Sequence, residues 1–350
     1  MSAALVTALG AAACGDDSPG AVSAPASATG PAARTSYPLS FDNCGTKVTF
    51  ARPPQRVLIL NGTSVGEVES FLMLGLEKHV LANAQTYGVS DDPSMIGRIR
   101  ALPTGGLTMN KNFDVPAEQV LKLKPDLVVS TWSGGFDAKR GHATREQLAA
   151  AGITTLVNPV NCANGKPDAT EAEKRAYKNQ SINSSFEFMA LLGRIFDVQR
   201  RALDVVSGLR GRVEAVRART AGKPARKVVI AYPGMAMMNA NGLPAVMTGG
   251  VYDDVIRAAG GINVFSGRGE DATRTLNKEQ LATAQVDVLV VGLFTPGENG
   301  GTEAARLFAA YPQWKASKTR TYTVVSDSVY LGPLNALGVE KISKVLHPDA

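Results

Sequence analysis

Residues 57–75 read VLILNGTSVGEVESFLMLG. Val57 to Leu60 form a continuous apolar run, the mark of a strand covered on both faces. From Val65 the apolar positions fall three or four apart, at Val68, Phe71 and Leu72, until Gly75, which is helical spacing. Strand, tight turn and helix make the first half of a βαβ unit. The turn also carries Gly62, Ser64 and Gly66 in G-x-S-x-G order, the spacing that holds a hydrolase nucleophile on a strand-to-helix elbow. That elbow needs strands and an oxyanion-hole donor upstream, and only residues 38–55 separate this one from a tail rich in Pro, Ala, Ser and Gly. The two glycines are therefore read as turn residues and Ser64 as a helix cap. The order Ser64, Asp327, His347 is permitted for a catalytic triad, so a serine hydrolase stays as a distant alternative.

Outward from this stretch the pattern recurs. Strand-like runs at 56–60, 79–84, 126–131 and 154–158 alternate with helix-like segments, and a second set follows at 227–232, 287–294 and 321–325. Apolar strands alternating with helices imply parallel sheets with both faces covered, here in two α/β lobes. The second half also repeats the first in detail. AEQVLKLKPDLVV (117–129) aligns without gaps on KEQLATAQVDVLV (278–290), matching Glu118, Gln119 and Asp126 to Glu279, Gln280 and Asp287. Gly75 and Gly260 close equivalent helices, each at a position suited to left-handed backbone. A duplicated lobe is expected.

The formal charge of +6 is concentrated. Residues 171–227 hold 13 Lys/Arg against 6 Asp/Glu, leaving the remainder close to neutral. Within them Phe186, Met189, Leu192, Phe196, Leu203, Val206, Leu209, Val213 and Val216 recur at helical spacing. The basic segment is thus expected to be a long helix over 183–220 with a solvated arginine face and a weak point at Ser207–Gly211. No aromatic interleaving or nucleic-acid motif accompanies the charge, so no nucleic-acid partner is expected. Gly267–Ala272 matches a dinucleotide fingerprint variant, but Glu270 and Asp271 would face the pyrophosphate, and it is read as a loop. His79, His142 and His347 are widely separated, so neither a metal site nor a cofactor is expected.

MSAALVTALGAAAC followed by GDDSPG is similar to a bacterial lipoprotein signal, with residues 1–13 as signal peptide, Cys14 as the lipidated residue and 14–40 as a flexible tether. Export to an oxidising compartment allows the other cysteines, Cys44 and Cys162, to pair as a disulfide.

The order of these features resembles the periplasmic-type binding proteins of iron-siderophore and cobalamin ABC importers. They are a strand near 56, a helix closing in LGL, x-E-Q followed by LKPDLVV, a long central helix, and AAGGINVF; the resemblance covers roughly 41–347. It implies two Rossmann-like lobes with parallel sheets, residues 41–182 and 221–350, joined by one long rigid helix over 183–220, with the ligand cleft between the lobes. It implies capture and delivery without catalysis, by a monomer held outside the cell membrane by its lipid and docked on an ABC permease with its ATPase. The implied ligand is a ferric siderophore, with cobalamin or a haem-type tetrapyrrole as the alternative. Exposed acidic residues near the start of each lobe's first helix, Glu69 and Asp254, would dock on the permease. Ligands of open parallel sheets approach the carboxyl ends of the strands, which here present Asn61, Tyr87, Trp132, Met237, Phe294 and Tyr330. A carboxylate siderophore would also call on Arg98, Arg100, Lys111 or Arg140.

Overall fold

The computed structural model describes residues 34–62, 64–110, 114–238, 243–268 and 272–349, apart from the side chains of 236–238 and 272–273. Cys14, the expected signal peptide, most of the tether, Lys111, the Met237 side chain and Gly269–Asp271 lie outside these residues. The first described elements are an antiparallel hairpin, β1 (Leu39–Asn43) and β2 (Thr46–Phe50). The first lobe follows as β3 (Val57–Ile59), α1 (Gly66–Met73), β4 (Val80–Asn83), α2 (Pro93–Arg100), α3 (Ala117–Leu123), β5 (Leu127–Ser130), α4 (Arg145–Ala150), β6 (Thr154–Val157) and α5 (Glu171–Lys178). Its four strands pair in parallel in the order β4-β3-β5-β6.

Two helices, α6 (Ile182–Ile195) and α7 (Gln199–Thr220), lead to the second lobe. That lobe runs β7 (Arg226–Tyr232), β8 (Ala245–Val246), α8 (Gly250–Ala258), β9 (Gly261–Asn263), α9 (Ala272–Thr275), α10 (Lys278–Thr283), β10 (Val288–Leu293), α11 (Gly300–Ala310), α12 (Lys315–Thr319), β11 (Tyr322–Ser326) and α13 (Asn335–Leu346). β11, β10 and β7 are parallel neighbours. β9 lies parallel along the first half of β7, and the short β8 lies antiparallel along its second half. With β8 set aside, β9-β7-β10-β11 repeats β4-β3-β5-β6 strand for strand, so the two lobes share one topology as the sequence repeat predicts. Gly75 (φ 71°) and Gly260 (φ 86°) both sit in the left-handed region after their helices, where a side chain would be strained.

The strands are short and buried because each sheet is covered on both sides. Leu58, Leu60 and Val128 face an outer cluster with Val120 and Leu148, whereas Val57, Ile59, Leu127 and Val129 face inward. The inner cluster is continuous through both lobes. It joins the inward faces of both sheets to Phe186, Met189 and Leu192 of α6, Val213 and Val216 of α7, and Val339 and Ile342 of α13. The lobes are therefore fastened at the back by shared apolar packing as well as by the chain.

The connector differs from the single helix expected over 183–220. It breaks between α6 and α7 at Phe196–Val198, where Asp197 has φ 56°, a conformation aspartate tolerates better than most residues. α7 runs unbroken through Gly208 and Gly211, where an added Cβ would meet nothing within 4 Å. These glycines weaken the helix by about 1 kcal/mol each relative to alanine without ending it. Across the bend, a Cβ on Gly193 would fall 2.7 Å from that of Ala202, so the two helices approach closely. The basic face of α7 is solvated and partly paired. Arg212 reaches Glu340 at 2.6–2.7 Å, and Arg200 and Arg217 pair within the helix with Asp204 and Glu214. No helix among the described residues is long and apolar enough to cross a membrane.

Candidate functional site

In each lobe the strand order reverses beside the first strand, between β3 and β5 and between β7 and β10. Crevices outside the carboxyl ends of strands at such points are where open α/β sheets bind ligands. Asn61 and Trp132 lie at the first, Phe294 at the second, and the backbone of Met237 in the turn after β7.

A buried polar network holds the first crevice together. Thr131 Oγ1 and Gln85 Nε2 both donate to Glu67 Oε2, at 2.7 and 2.8 Å, and Gln85 Oε1 accepts from the Val68 N–H at 3.1 Å. One carboxyl group thus ties the start of α1 to the loops after β4 and β5, and burial raises its pKa above the ordinary value. Gly62 lies directly on this network, and a Cβ there would fall 1.9 Å from Thr131 Oγ1. Tyr87 clamps the same turn, its hydroxyl donating to the Gly62 carbonyl and accepting from the Gly62 N–H. Asn61 is half-buried, with its Oδ1 enclosed and without a hydrogen-bond partner among the described residues.

Trp132 is half-buried and differently exposed from the open aromatic wall expected of it. A Cβ on Gly134 would fall 2.3 Å from its ring and one on Gly165 2.8 Å, so backbone lies against the indole. The Arg140 guanidinium lies over the ring, 5.1 Å from its centroid, a cation–π contact. Arg140 Nη2 donates to both oxygens of the buried Asp114, at 3.0 and 3.2 Å, and keeps 41% of its side chain exposed. Asp114 is also 3.3 Å from His142 Nε2. Of the other expected cations, Arg98 is at the opposite end of α1, donating to the Leu72 carbonyl and paired with Glu77, and Arg100 shares its helix turn.

The two lobes meet along their carboxyl edges. The rings of Tyr87 and Phe294 touch across the seam with centroids 5.7 Å apart. Tyr330, expected to face ligand, is 9% exposed and belongs to the seam itself. Its ring stacks on Tyr252 at 5.7 Å, its hydroxyl donates to Asn161 Oδ1 and accepts from Gln180 Nε2, and its carbonyl accepts from Ser64 Oγ at 2.8 Å. Ser64 also accepts from the Gly66 N–H at 3.1 Å, but the N-cap position of α1 is Val65, so Ser64 stands one residue before the cap expected of it. No histidine accompanies it. His347 Nε2 is against the Gly260 carbonyl, His79 Nδ1 against the Pro54 carbonyl and His142 beside Asp114. The triad order Ser64, Asp327, His347 is not assembled.

The two expected docking carboxylates are not at the surface. Glu69 is 0% exposed beneath the second lobe, and Asp254 is 8% exposed, accepting from the Ile182 N–H at 2.9 Å and from Arg257 at 2.7 Å. The exposed acidic pair equivalent in the two lobes is Glu118 and Glu279, each in the first turn of the helix before the third parallel strand. Cys44 and Cys162 are joined as expected, with the sulfurs 2.03 Å apart. The bond and Ser133, whose Oγ donates to the Cys162 carbonyl at 2.7 Å, anchor the loop that carries Trp132. Among the described residues no group of three or more His, Cys, Asp or Glu is placed to hold a metal ion.

The model of the family described as periplasmic binding protein matches residues 63–320. No curated protein matches the sequence. Among solved structures, a periplasmic binding protein from Veillonella parvula superposes with a TM-score of 0.68 at 18% identity, covering 89% of this chain and 97% of that one. A protein of an ABC-type Fe3+-hydroxamate transport system from Saccharomonospora viridis gives 0.65 at 22% identity, covering 89% and 99%. A periplasmic heme-binding protein from Roseiflexus gives 0.57 at 20% identity, covering 84% and 98%. At these identities the shared property is the fold.

Proposed function

The chain belongs to the periplasmic binding protein family of ABC transport, and from that premise we propose that it captures a ferric siderophore outside the cell and hands it to an ABC permease. The observation that carries this reading is the meeting of two parallel sheets at their carboxyl edges, with Tyr87 and Phe294 in contact across them and the Trp132–Arg140 pair beside them. Aromatic rings supply broad apolar contact for a bulky chelate, and a few fixed polar groups orient it. Lipidation of Cys14, with residues 14–40 as tether, would keep a monomer at the membrane.

Arg140 narrows the ligand class. Its guanidinium is preorganised by the indole beneath it and by Asp114 beside it, which offsets its charge. The site therefore offers N–H donors with little net charge. That favours the polarised oxygens of a hydroxamate chelate over a polycarboxylate, which needs several free arginines; Arg98 is committed elsewhere. Delivery requires a surface readable on both lobes. Glu118 and Glu279 fit it, being exposed, equivalent and at helix starts that topology places on the same edge as the crevices.

Tryptophan-fluorescence titration against ferric hydroxamate, catecholate and carboxylate siderophores, cobalamin and haem tests the proposal. Saturable binding of a ferric hydroxamate, with the signal altered in Trp132→Phe, is expected. Saturation by haem or cobalamin alone would replace the siderophore with a tetrapyrrole, and saturation by none would refute the ligand class.

A further inference from the structure

The front of the seam is built from carboxyl groups of both lobes. Glu69 on α1 and Asp91 in the loop after β4 come from the first lobe, and Asp327 in the turn after β11 comes from the second; all three are buried. Asp91 crosses the seam directly. It accepts from the Ser326 N–H at 3.2 Å and Ser326 Oγ at 3.0 Å, and Lys341 Nζ of α13 reaches it at 2.7 Å. Glu69 Oε1 accepts from Ser90 Oγ at 2.5 Å, but among the described residues no donor in hydrogen-bond geometry reaches Glu69 Oε2 or either oxygen of Asp327, although Ser328 stands beside the first and the Val89 backbone beside the second.

Close backbone packing shuts these groups in. A Cβ on Gly66 would fall 2.9 Å from Gly332 Cα, one on Gly332 3.1 Å from Glu69 Oε2, and one on Gly88 3.2 Å from Asp327 Oδ2. Leu331, beside Gly332, is held at φ 58°, a costly conformation for leucine that the surrounding packing must maintain. An ionised carboxylate without a partner is far too costly to bury this way, whereas a protonated one is tolerated.

We propose that this seam is a proton-dependent latch, in which the lobes stay closed at their carboxyl edges while Glu69 and Asp327 are protonated and part there when both ionise. Burial is the largest cause that pushes Glu69 up to about 8 and Asp327 well above the usual carboxylate range. Asp327 and Glu69 face one another, Asp91 faces both, and Asp92 adds to Glu69. From the other packed elements Asp327 faces Tyr87, Tyr232 of β7 and Tyr252 of α8, whose hydroxyls burial keeps neutral. Lys341 of α13 is the cation at the cluster and is bound to Asp91. The closed form, having raised acid pKa values, binds more protons than the open form. Closure is fully favoured below the ordinary carboxylate range and is lost as pH rises towards about 8, by about tenfold in the closing constant per pH unit for each proton released. The packing of α6, α7 and α13 between the two sheets remains, which limits how far the lobes part at the seam. The latch does not depend on which ligand is carried.

The test is the distance between spin labels on Lys122→Cys and Lys278→Cys, one exposed position on each lobe, in the ligand-free full chain carrying Cys14→Ser. A single short distance at pH 6 should give way to a longer population by pH 9.5, and Glu69→Gln with Asp327→Asn should hold the short distance throughout. Hydrogen exchange of residues 327–334 in the unsubstituted chain, corrected for intrinsic rates, gives a second reading, with protection expected to fall over the same range. An unchanged distance distribution between pH 6 and 9.5, unchanged protection, or a double variant that follows the unsubstituted profile would overturn the proposal.

Discussion

Replacing both Cys44 and Cys162 by serine removes a crosslink between residues separated by 118 positions. The closed loop contains the whole four-stranded sheet of the first lobe, residues 57–157. In the chain-entropy treatment a loop of that length restrains the unfolded chain by about 5 kcal/mol, and native strain or residual unfolded structure reduces what is measured. The folded side should change little, because the hairpin is held independently of the sulfurs. Asn43 exchanges hydrogen bonds with the Val157 backbone at 2.8 and 2.9 Å, Arg145 Nη1 donates to the Asn43 carbonyl at 2.6 Å, and Lys166 Nζ reaches the Cys44 carbonyl at 3.1 Å. The double variant should therefore fold and bind, but unfold in urea with stability lower by about 3–5 kcal/mol and a larger m-value, its unfolded chain being freer to expand. Equilibrium unfolding followed by circular dichroism measures both, and intact mass with and without reductant checks the bond. A loss below about 1 kcal/mol with unchanged m would refute the loop-entropy reasoning, and no 2 Da difference in mass would refute the bond.

Arg140→Ala and Asp114→Ala should each weaken ferric hydroxamate binding by about tenfold to a hundredfold, the usual cost of losing a charged hydrogen-bonding group; unchanged affinity in both would remove Arg140 from the site. Glu118→Arg with Glu279→Arg should abolish uptake by cells while leaving ligand affinity in fluorescence titration intact, and retained uptake would end their docking role. Gly62→Ala should destabilise the chain by about 1–3 kcal/mol through overpacking against Thr131, and a wild-type urea midpoint would show that the loop yields freely.

Much of the fold was legible because its signals are local. Every strand of four or more residues in the two lobe sheets coincides to within one residue at each end with an apolar run read from sequence or lies inside it, and the duplicated helix starts at Glu118 and Glu279 marked the matching lobes. The two short strands on the β7 edge escaped for want of length, since two or three residues show no period. The hairpin carries alternation at Leu39, Phe41, Val48 and Phe50, a period-two signal over segments of only five residues. The break at Asp197 stands in place of the weak point expected at Ser207–Gly211, because helix propensity gave way to the packing of α6 on α7.

Sequence alone determined the fold class, the repeat, the cysteine pair and the kinds of side chain at the strand ends, all set by patterns within a few residues or by residue type. Tertiary structure alone decided what those side chains face. Glu69 reads as a solvated carboxylate on an amphipathic helix, and becomes buried only because a turn some 260 residues later closes over it. Trp132 reads as an open aromatic wall, yet Arg140 of the same connection lies over its ring, held there by Asp114 from the separate loop before α3. Burial and pairing are properties of chain segments brought together from a distance, and no local period records them.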